Sequence, residues 1–559
     1  MKTKLKKFLC LILAGMMVLA LVACGGGDDN KTPSNSNDSS TPPATTPTAP
    51  EEMADTMKDV TINIRIMNEF KNLDKVLAKY EEMTADDPIL SHIHPKFTWV
   101  AGGDYKDKLT MAMVANEDYD LMFCGSWHGL TSFMQDGNFA DLSAYFNNDN
   151  FPGLKAAFSP NFVDAMTSYV RQPDGTFTKG IYSINLASFY EDSRGFMYRE
   201  DLRKKYNCDP ITDRESLFAY LDTVTANEPD MIGVSLWNFF YIDSPVYSGK
   251  HDGVYSQDST NIFGDQTRAY VGLSADGKTV TNVVFPGDAQ EEFDKMPSGY
   301  QYDFITECAV TRTEWNKYLN PNRGGTDTVE KEAVIGYCPL TEFESKAKEA
   351  EERIPGSEYG FYVYEDAQRS KEKGAVICDM VTNNWLVVPE WSENVDAVMY
   401  FLDWMFGTQE SHDLFQYGIE GEDWEKIGEE GYRQLDISED LKYTMPNYSF
   451  TLNPTYIRYS EFTLDNAEIK ADFDYIYDEA TYQLSPLSGF SFDTSKVETE
   501  VASISALSNE LQLNISLYDA DEAVAKINTW HADAENVGLE TVRQELIDQL
   551  QAFLDAKNA

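Results

Sequence analysis

The chain has 559 residues, with 93 acidic against 45 basic side chains and a formal net charge of −48. That balance argues against nucleic acid, anionic lipid headgroups and polyanionic ligands as partners, and it favours solubility. On the order of 500 folded residues also exceed what one hydrophobic core serves, so at least two domains or lobes are expected.

In chain order, Lys2, Lys4, Lys6 and Lys7 precede an apolar run from Phe8 to Leu21. A charged start and an apolar stretch too short to settle as a membrane span read as a secretory signal peptide over residues 1–23. The stretch Leu21-Val22-Ala23-Cys24, followed by glycines at 25–27, resembles a lipobox. Cys24 is therefore expected to carry diacylglycerol and to become the first residue of the mature chain. Acyl chains contribute about 0.8 kcal/mol per buried CH2, enough to hold a soluble body at a membrane. Residues 24–57, rich in Thr, Ser, Pro and acids, read as the lipidated cysteine and a disordered tether. If extended, some 30 residues at roughly 3.1 Å each would reach about 90 Å.

The folded part opens with alternating apolar residues from Val60 to Ile66, a predicted strand, then a helix from Leu73 to Tyr80 and a second strand from Phe97 to Val100. Gly102 to Tyr105 feeds an amphipathic helix that is expected to turn Leu109, Met111 and Met113 to a core. Tyr119 to Cys124 reads as a third strand, turning at Gly125-Ser126-Trp127. This alternation implies a parallel sheet covered by helices. Ligands in such sheets sit beyond the carboxyl ends of the strands, which nominates Asn68 and Glu69, Gly102 to Tyr105, and Ser126 to His128. Further on, Ser392 is placed to cap a helix with Val395, Val398, Met399, Leu402 and Met405 on its apolar side and Gly407 at its end. Val542, Leu546, Leu550 and Phe553 mark a core-facing terminal helix.

Four segments resemble a known family. They are GGDYKDKLTMAMVANEDYDLMFCGSW from Gly102, FMYREDLRKKYNCDPITDRESLFAYLDTV from Phe196, the stretch from Asn383 to Trp424 with Tyr417-Gly418-Ile419-Glu420-Gly421, and the segments SPLSGFSFDTSKVETEVASISAL and GLETVRQELIDQLQAFL near the end. Their residues and order resemble extracellular solute-binding proteins of family 1, sugar-binding, and within it the LipO-type lipoproteins that partner ABC importers. The resemblance implies an α/β, two-lobed periplasmic-binding-protein-like fold of type II. Each lobe would be a mostly parallel sheet with helices on both faces, and hinge strands would cross between lobes. Residues 58–182 and 379–445 would form the amino-terminal lobe, and 183–378 and 446–559 the carboxy-terminal lobe with closing helices. The crossings would lie near Gly180 to Ser183 and near Cys378 to Trp385. Residues 250–345 match the family poorly. The resemblance further implies a monomer on the outer face of a bacterial, Gram-positive cell membrane, held there by its lipid alone, and ABC permease subunits as partners.

Catalytic signatures are missing from the sequence. The six histidines form no HExxH, and His92 and His94, beside Pro95, have no matching Cys or Glu ligands. Neither a GxSxG elbow nor a Walker loop nor a dinucleotide fingerprint occurs, and the acidic clusters lack the pattern of a calcium loop. Beyond Cys10 and Cys24, Cys124, Cys208, Cys308, Cys338 and Cys378 are an odd number without CxxC, and are expected as small buried hydrophobes. No cofactor, metal or enzymatic activity is expected. A sugar binder needs flat rings to stack on the apolar faces of pyranoses, and carboxylates and amides for the hydroxyl rim. The candidate rings are Trp127, Tyr182, Trp237, Trp385 and Tyr105; the polar candidates are Glu69, Asp104 and Asn384. Simple burial competes with function for each ring. The expected ligand is a neutral oligosaccharide. A peptide binder of the same fold, a surface glycoside hydrolase and an adhesive lipoprotein stay open as alternatives.

Overall fold

The computed structural model describes residues 46–186, 194–234, 254–255, 261–264, 267–297, 318, 333–378, 384–438, 440–444, 450, 455–515 and 520–559. Cys24 and Trp237 lie outside the described residues, as does part of the second expected crossing. No helix among the described residues is long and apolar enough to cross a membrane.

Alternation of branched residues at Ile62, Ile64 and Ile66 does build a strand, Val60–Met67, second in a five-stranded sheet. Its neighbours are Ile93–Val100 and Leu121–Gly125, both parallel to it, with Val60 opposite Ile93 and Met67 opposite Val100. Asn384–Val387 then pairs antiparallel with Leu121–Gly125, and Ile184–Asn185 antiparallel with Asn384–Val387. A second sheet holds Tyr359–Val363, Arg194–Arg199, Ala333–Pro339 and Ile232–Val234 in that order. Arg194–Arg199 runs antiparallel to both its neighbours. Both sheets are thus mixed rather than mostly parallel, because strands that do not follow a helical crossover are free to insert in either direction.

Helix Leu73–Thr84 buries Val76, Tyr80 and Thr84, and the Tyr80 hydroxyl donates to the carbonyls of Leu90 and Ile93 at 3.3 and 3.2 Å. Helix Gly102–Ala115 buries Tyr105, Leu109, Ala112 and Met113, but Met111 is 57% exposed. Two residues on from Leu109 is about 200° around a helix, so Met111 points away from the face that Leu109 and Met113 share. Helix Val395–Gly407 is buried almost all round, Tyr400, Phe401 and Phe406 included, as a helix apolar on every face must be. Ser392 does not cap it. Asn394 stands at the cap position, while the Ser392 hydroxyl donates to Asp120 at 2.7 Å and ties the helix start to the first sheet.

Order begins before residue 58. Pro50–Thr56 is helical, with proline in its first turn, and Met53, Ala54 and Met57 pack on the first core. Thr48 donates its hydroxyl to Asp396 at 2.5 Å and accepts from Tyr400 through its carbonyl at 3.0 Å. Methionine and alanine supply the apolar contact that the absence of branched and aromatic residues in this stretch had argued against.

The largest hydrophobic cluster runs from Ile62 to Leu186 and returns from Trp385 to Phe450. Two smaller ones hold the second sheet and helices Leu340–Arg353 and Ala467–Tyr477. A further core joins the small antiparallel sheet Val254–Tyr255, Tyr270–Leu273 and Val280–Val284 to the last three helices, Glu498–Ile515, Ala520–Asn536 and Leu539–Lys557. The poorly matching stretch after residue 250 is therefore, where described, the packing partner of the chain's end. Val542, Leu546, Leu550 and Phe553 are fully buried there.

Candidate functional site

Parallel pairing brings the carboxyl ends of the first three strands to one edge of the first sheet. The left-handed Asn68 (φ 67°) staples that edge: its amide donates to the Val100 carbonyl at 3.0 Å, and its Oδ1 accepts from the Gly102 amide at 3.1 Å. Glu69 and Asp104 stand exposed at this edge. Tyr105, one residue on, does not. It is fully buried, its hydroxyl donates to the Phe123 carbonyl at 2.8 Å, and burial pushes its phenol well above the ordinary range. Helical spacing turns it to the same face as Leu109, so it is a core residue rather than a ligand-facing ring.

Beyond the third strand the chain makes one turn of 3-10 helix, Ser126–His128. The Gly125 amide donates to His128 Nδ1 at 3.0 Å, and the His128 ring lies 5.0 Å from the ring of Trp127. A Cβ on Gly125 would sit 2.8 Å from the Trp127 ring, so only glycine lets the indole fold back over the strand end. Trp127 is 48% exposed, a large flat ring presented to solvent at the sheet edge. Burial, with Lys106 adding to it, lowers His128 to about 4, which keeps it the neutral acceptor that the turn requires.

Asn384 lies directly opposite Gly125, and Trp385 opposite Cys124 on one side and Asn185 on the other. The Leu186 amide donates to the Asn384 carbonyl at 3.1 Å. Asn384 and Trp385 thus lie on the strand that pairs with Leu121–Gly125, and Trp127 on the turn that follows Leu121–Gly125; of the three, Trp385 alone lines a cleft, of about 210 Å³. Trp385 is only 3% exposed, yet its Nε1 has no hydrogen-bond partner. Tyr182 does not line that cleft. It packs in the first core, where a Cβ on Gly180 would come within 2.6 Å of its ring, and burial, with Asp141 adding, raises its phenol.

The cleft is walled by Leu130, Thr131 and Met134 from helix Leu130–Gln135, by Ser183 and Trp385, and by a loop near the end of the chain, Gly489 to Thr494. Among the described residues that line it, none carries a charge. It offers apolar and aromatic surface with hydroxyls set into it. Below the roughly 300–1,000 Å³ of a complete small-molecule pocket, it fits one end of a ligand. The hydroxyl-bearing loop was not legible in sequence, since nothing local marks Ser491 or Thr494 as close to Trp385.

Asp288, His531 and Glu535 present ligand atoms close enough for a metal ion. Asp288 is already committed. It accepts from Arg543 Nη1 and Nη2 at 2.8 and 2.9 Å and from His531 at 2.7 Å, and a guanidinium so close opposes a dication. This cluster clasps the small sheet to the last helices.

The family model for bacterial extracellular solute-binding proteins matches residues 68–411. The chain belongs to that family. A second model, a domain of unknown function, matches residues 486–555. A carbohydrate ABC transporter substrate-binding protein of Streptococcus pneumoniae serotype 4 is 21% identical over an alignment of 509 positions that covers 87% of this chain and 88% of that one. The crystal structure of an N-glycan transport solute binding protein from Streptococcus pneumoniae superposes with a TM-score of 0.63 at 18% identity, over 89% of this chain and 99% of that one. The same protein in complex with Man5GlcNAc gives a TM-score of 0.56 at 18% identity, with the same coverage. These likenesses establish the two-lobed α/β architecture of extracellular solute-binding proteins for the chain.

Proposed function

We propose that this solute-binding protein captures a neutral oligosaccharide between its lobes and delivers it to the permease of an ABC importer, without turning it over. The observation that carries the reading is an uncharged cleft, aromatic and hydroxyl-lined, in a chain of net charge −48. Apolar pyranose faces suit Trp385 and the exposed Trp127, and sugar hydroxyls suit the indole N–H and the serines. A free peptide would bring charged termini for which the described cleft has no counter-charge. The carbohydrate-related names of the similar proteins point the same way.

In this reading residues 58–182 and 379–445 make one lobe and 183–378 and 446–559 the other, with Cys24 as the lipidated anchor on the extracellular face of the membrane and a monomer as the working unit. Glu69, Asp104 and Asn384 are proposed to meet the hydroxyl rim from the sheet edge. A thermal-shift screen against neutral and acidic oligosaccharides and short peptides tests it. A ligand at 100 times its dissociation constant adds about 2.7 kcal/mol. The expected result is a raised melting temperature with one class of neutral sugar and no product formed. A shift with peptides alone, or turnover of the sugar, overturns the proposal.

A further inference from the structure

The carboxy-terminal segment 486–555 matches a domain with no assigned function, and it does two separable things in this structure. Its helices, with Phe490 of the loop ahead of them, close the core shared with the small antiparallel sheet, while that loop, through Gly489 to Phe492 and Thr494, also lines the cleft together with Leu130, Met134 and Trp385 of the largest core. The loop is held from three directions. The Tyr169 amide donates to the Gly489 carbonyl at 3.1 Å, and Gly489 takes φ +87° where a Cβ would meet the Thr167 carbonyl at 2.5 Å. Arg171 pairs with Asp493 at 3.2 Å and lies 3.6 Å from Glu545. Gln549 grips Asp493 twice, accepting from its amide at 2.8 Å and donating to its carbonyl at 2.7 Å. Such bracing fixes a loop in which the Ser491 hydroxyl remains unspent.

The unspent atoms are specific. Ser491 is 1% exposed and its Oγ has no hydrogen-bond partner; across the cleft Trp385 is 3% exposed and its Nε1 has none either. Leaving a buried donor or acceptor without a partner is unfavourable, a penalty that a ligand bringing hydroxyls would relieve at both atoms. We propose that the carboxy-terminal segment is a specificity element of the ligand site, in which Ser491 exchanges hydrogen bonds with a saccharide hydroxyl at the end of the ligand that Trp385 contacts. Phe490 and Phe492 flank that serine with apolar surface, and Asn261, between the first two strands of the small sheet, lines the same cleft. The segment thus serves recognition as well as closing the fold. This assignment rests on the saccharide reading above.

The test is calorimetric titration of the full chain with Man5GlcNAc and with mannose-, glucose- and xylose-based neutral oligosaccharides, in the wild type, Ser491→Ala and Trp385→Phe. Because the Ser491 hydroxyl makes no hydrogen bond in the unliganded fold, Ser491→Ala is expected to keep the wild-type melting temperature or raise it, while binding about three- to tenfold more weakly. Trp385→Phe should weaken binding of the same sugar. Thr494→Val gives a second reading of the loop should Ser491→Ala misfold, with a loss in the same direction. Retained wild-type affinity in the loop variants, with Trp385→Phe still impaired, overturns the role of the segment and leaves the saccharide reading standing. A wild-type protein that binds none of these sugars overturns the saccharide reading, and this assignment with it.

Discussion

Rings of one chemical type end in different settings in this protein, and the setting decides how each can be probed. Trp127 is about half exposed on a turn that Gly125 and His128 hold, whereas Trp385 is packed between two strands. Trp127→Ala should therefore weaken the sugar ligand by about 1–3 kcal/mol with little change in melting temperature, measured by titration and thermal melt on the same sample. Trp385→Ala is a poorer probe, because removing a buried indole costs about 3–5 kcal/mol of stability. Asp403 gives a residue-scale prediction on pH. Burial raises its carboxyl to about 6 against an ordinary 3.8, in spite of hydrogen bonds from the amides of Leu154 (2.8 Å) and Gly153. The fold thus holds a proton that the unfolded chain releases near pH 4. Stability from this group is present below that pH and is lost as pH rises through 6, by no more than about 3 kcal/mol. Asp403→Asn keeps an oxygen for the Leu154 amide and removes the charge, so its melting temperature should exceed the wild type's at pH 7 and converge with it near pH 4. A variant less stable than the wild type at pH 7 would reject that sign.

Elements built from local pattern were legible in the sequence, and those built from distant contact were not. Leu73–Thr84 and Leu539–Lys557 follow directly from periodicity, because each buries a face whose spacing the sequence displays, and Val60–Met67 from the alternation of its isoleucines, although the strand is buried on both faces from Ile64 onward. Tyr105 and Trp127 both lie near the sheet edge in sequence, yet a helix turns the first into the core and a 3-10 turn leaves the second outside. The cleft's far wall was invisible for another reason: Gly489 to Thr494 comes more than 100 residues after Trp385, and no local signal encodes that distance. The small sheet and the last helices are joined by a similarly distant contact, Asp288 with His531 and Arg543. Burial alone would raise Asp288, but hydrogen bonds from His531 and Arg543 bring it down to about 2. Its contribution is complete above the ordinary carboxylate pKa near 4 and is lost as pH falls through 2. Asp288→Asn removes the most buried counter-charge of Arg543 and leaves it the more exposed Glu540 and Glu535, so a loss of up to about 3 kcal/mol is expected. Hydrogen exchange should then quicken in 270–296 and 520–557 before the first sheet. Uniform loss of protection across the chain would show that this clasp is not a separate unit.

At the scale of the whole molecule, the charge and the cleft make opposite demands on a ligand. A body with formal charge −48 repels anions over its surface, but the described residues that line the cleft contribute no fixed charge of their own. A neutral sugar feels neither the repulsion nor its screening. An acidic sugar of the same size, such as a uronic-acid oligomer, would approach against the field and gain from added salt. The Debye length shrinks from about 30 Å at 0.01 M to about 8 Å at 0.15 M, so the field at a surface cleft changes greatly over that range. Affinity for the true ligand should accordingly stay within about twofold from 10 to 150 mM salt, whereas an acidic oligosaccharide that binds at all should bind more tightly as salt rises. Titration of both across that range separates the two cases. A ligand whose affinity falls steeply with salt would have to be a cation attracted to the acidic surface, and it would overturn the assignment of a neutral saccharide while leaving the fold and the family untouched.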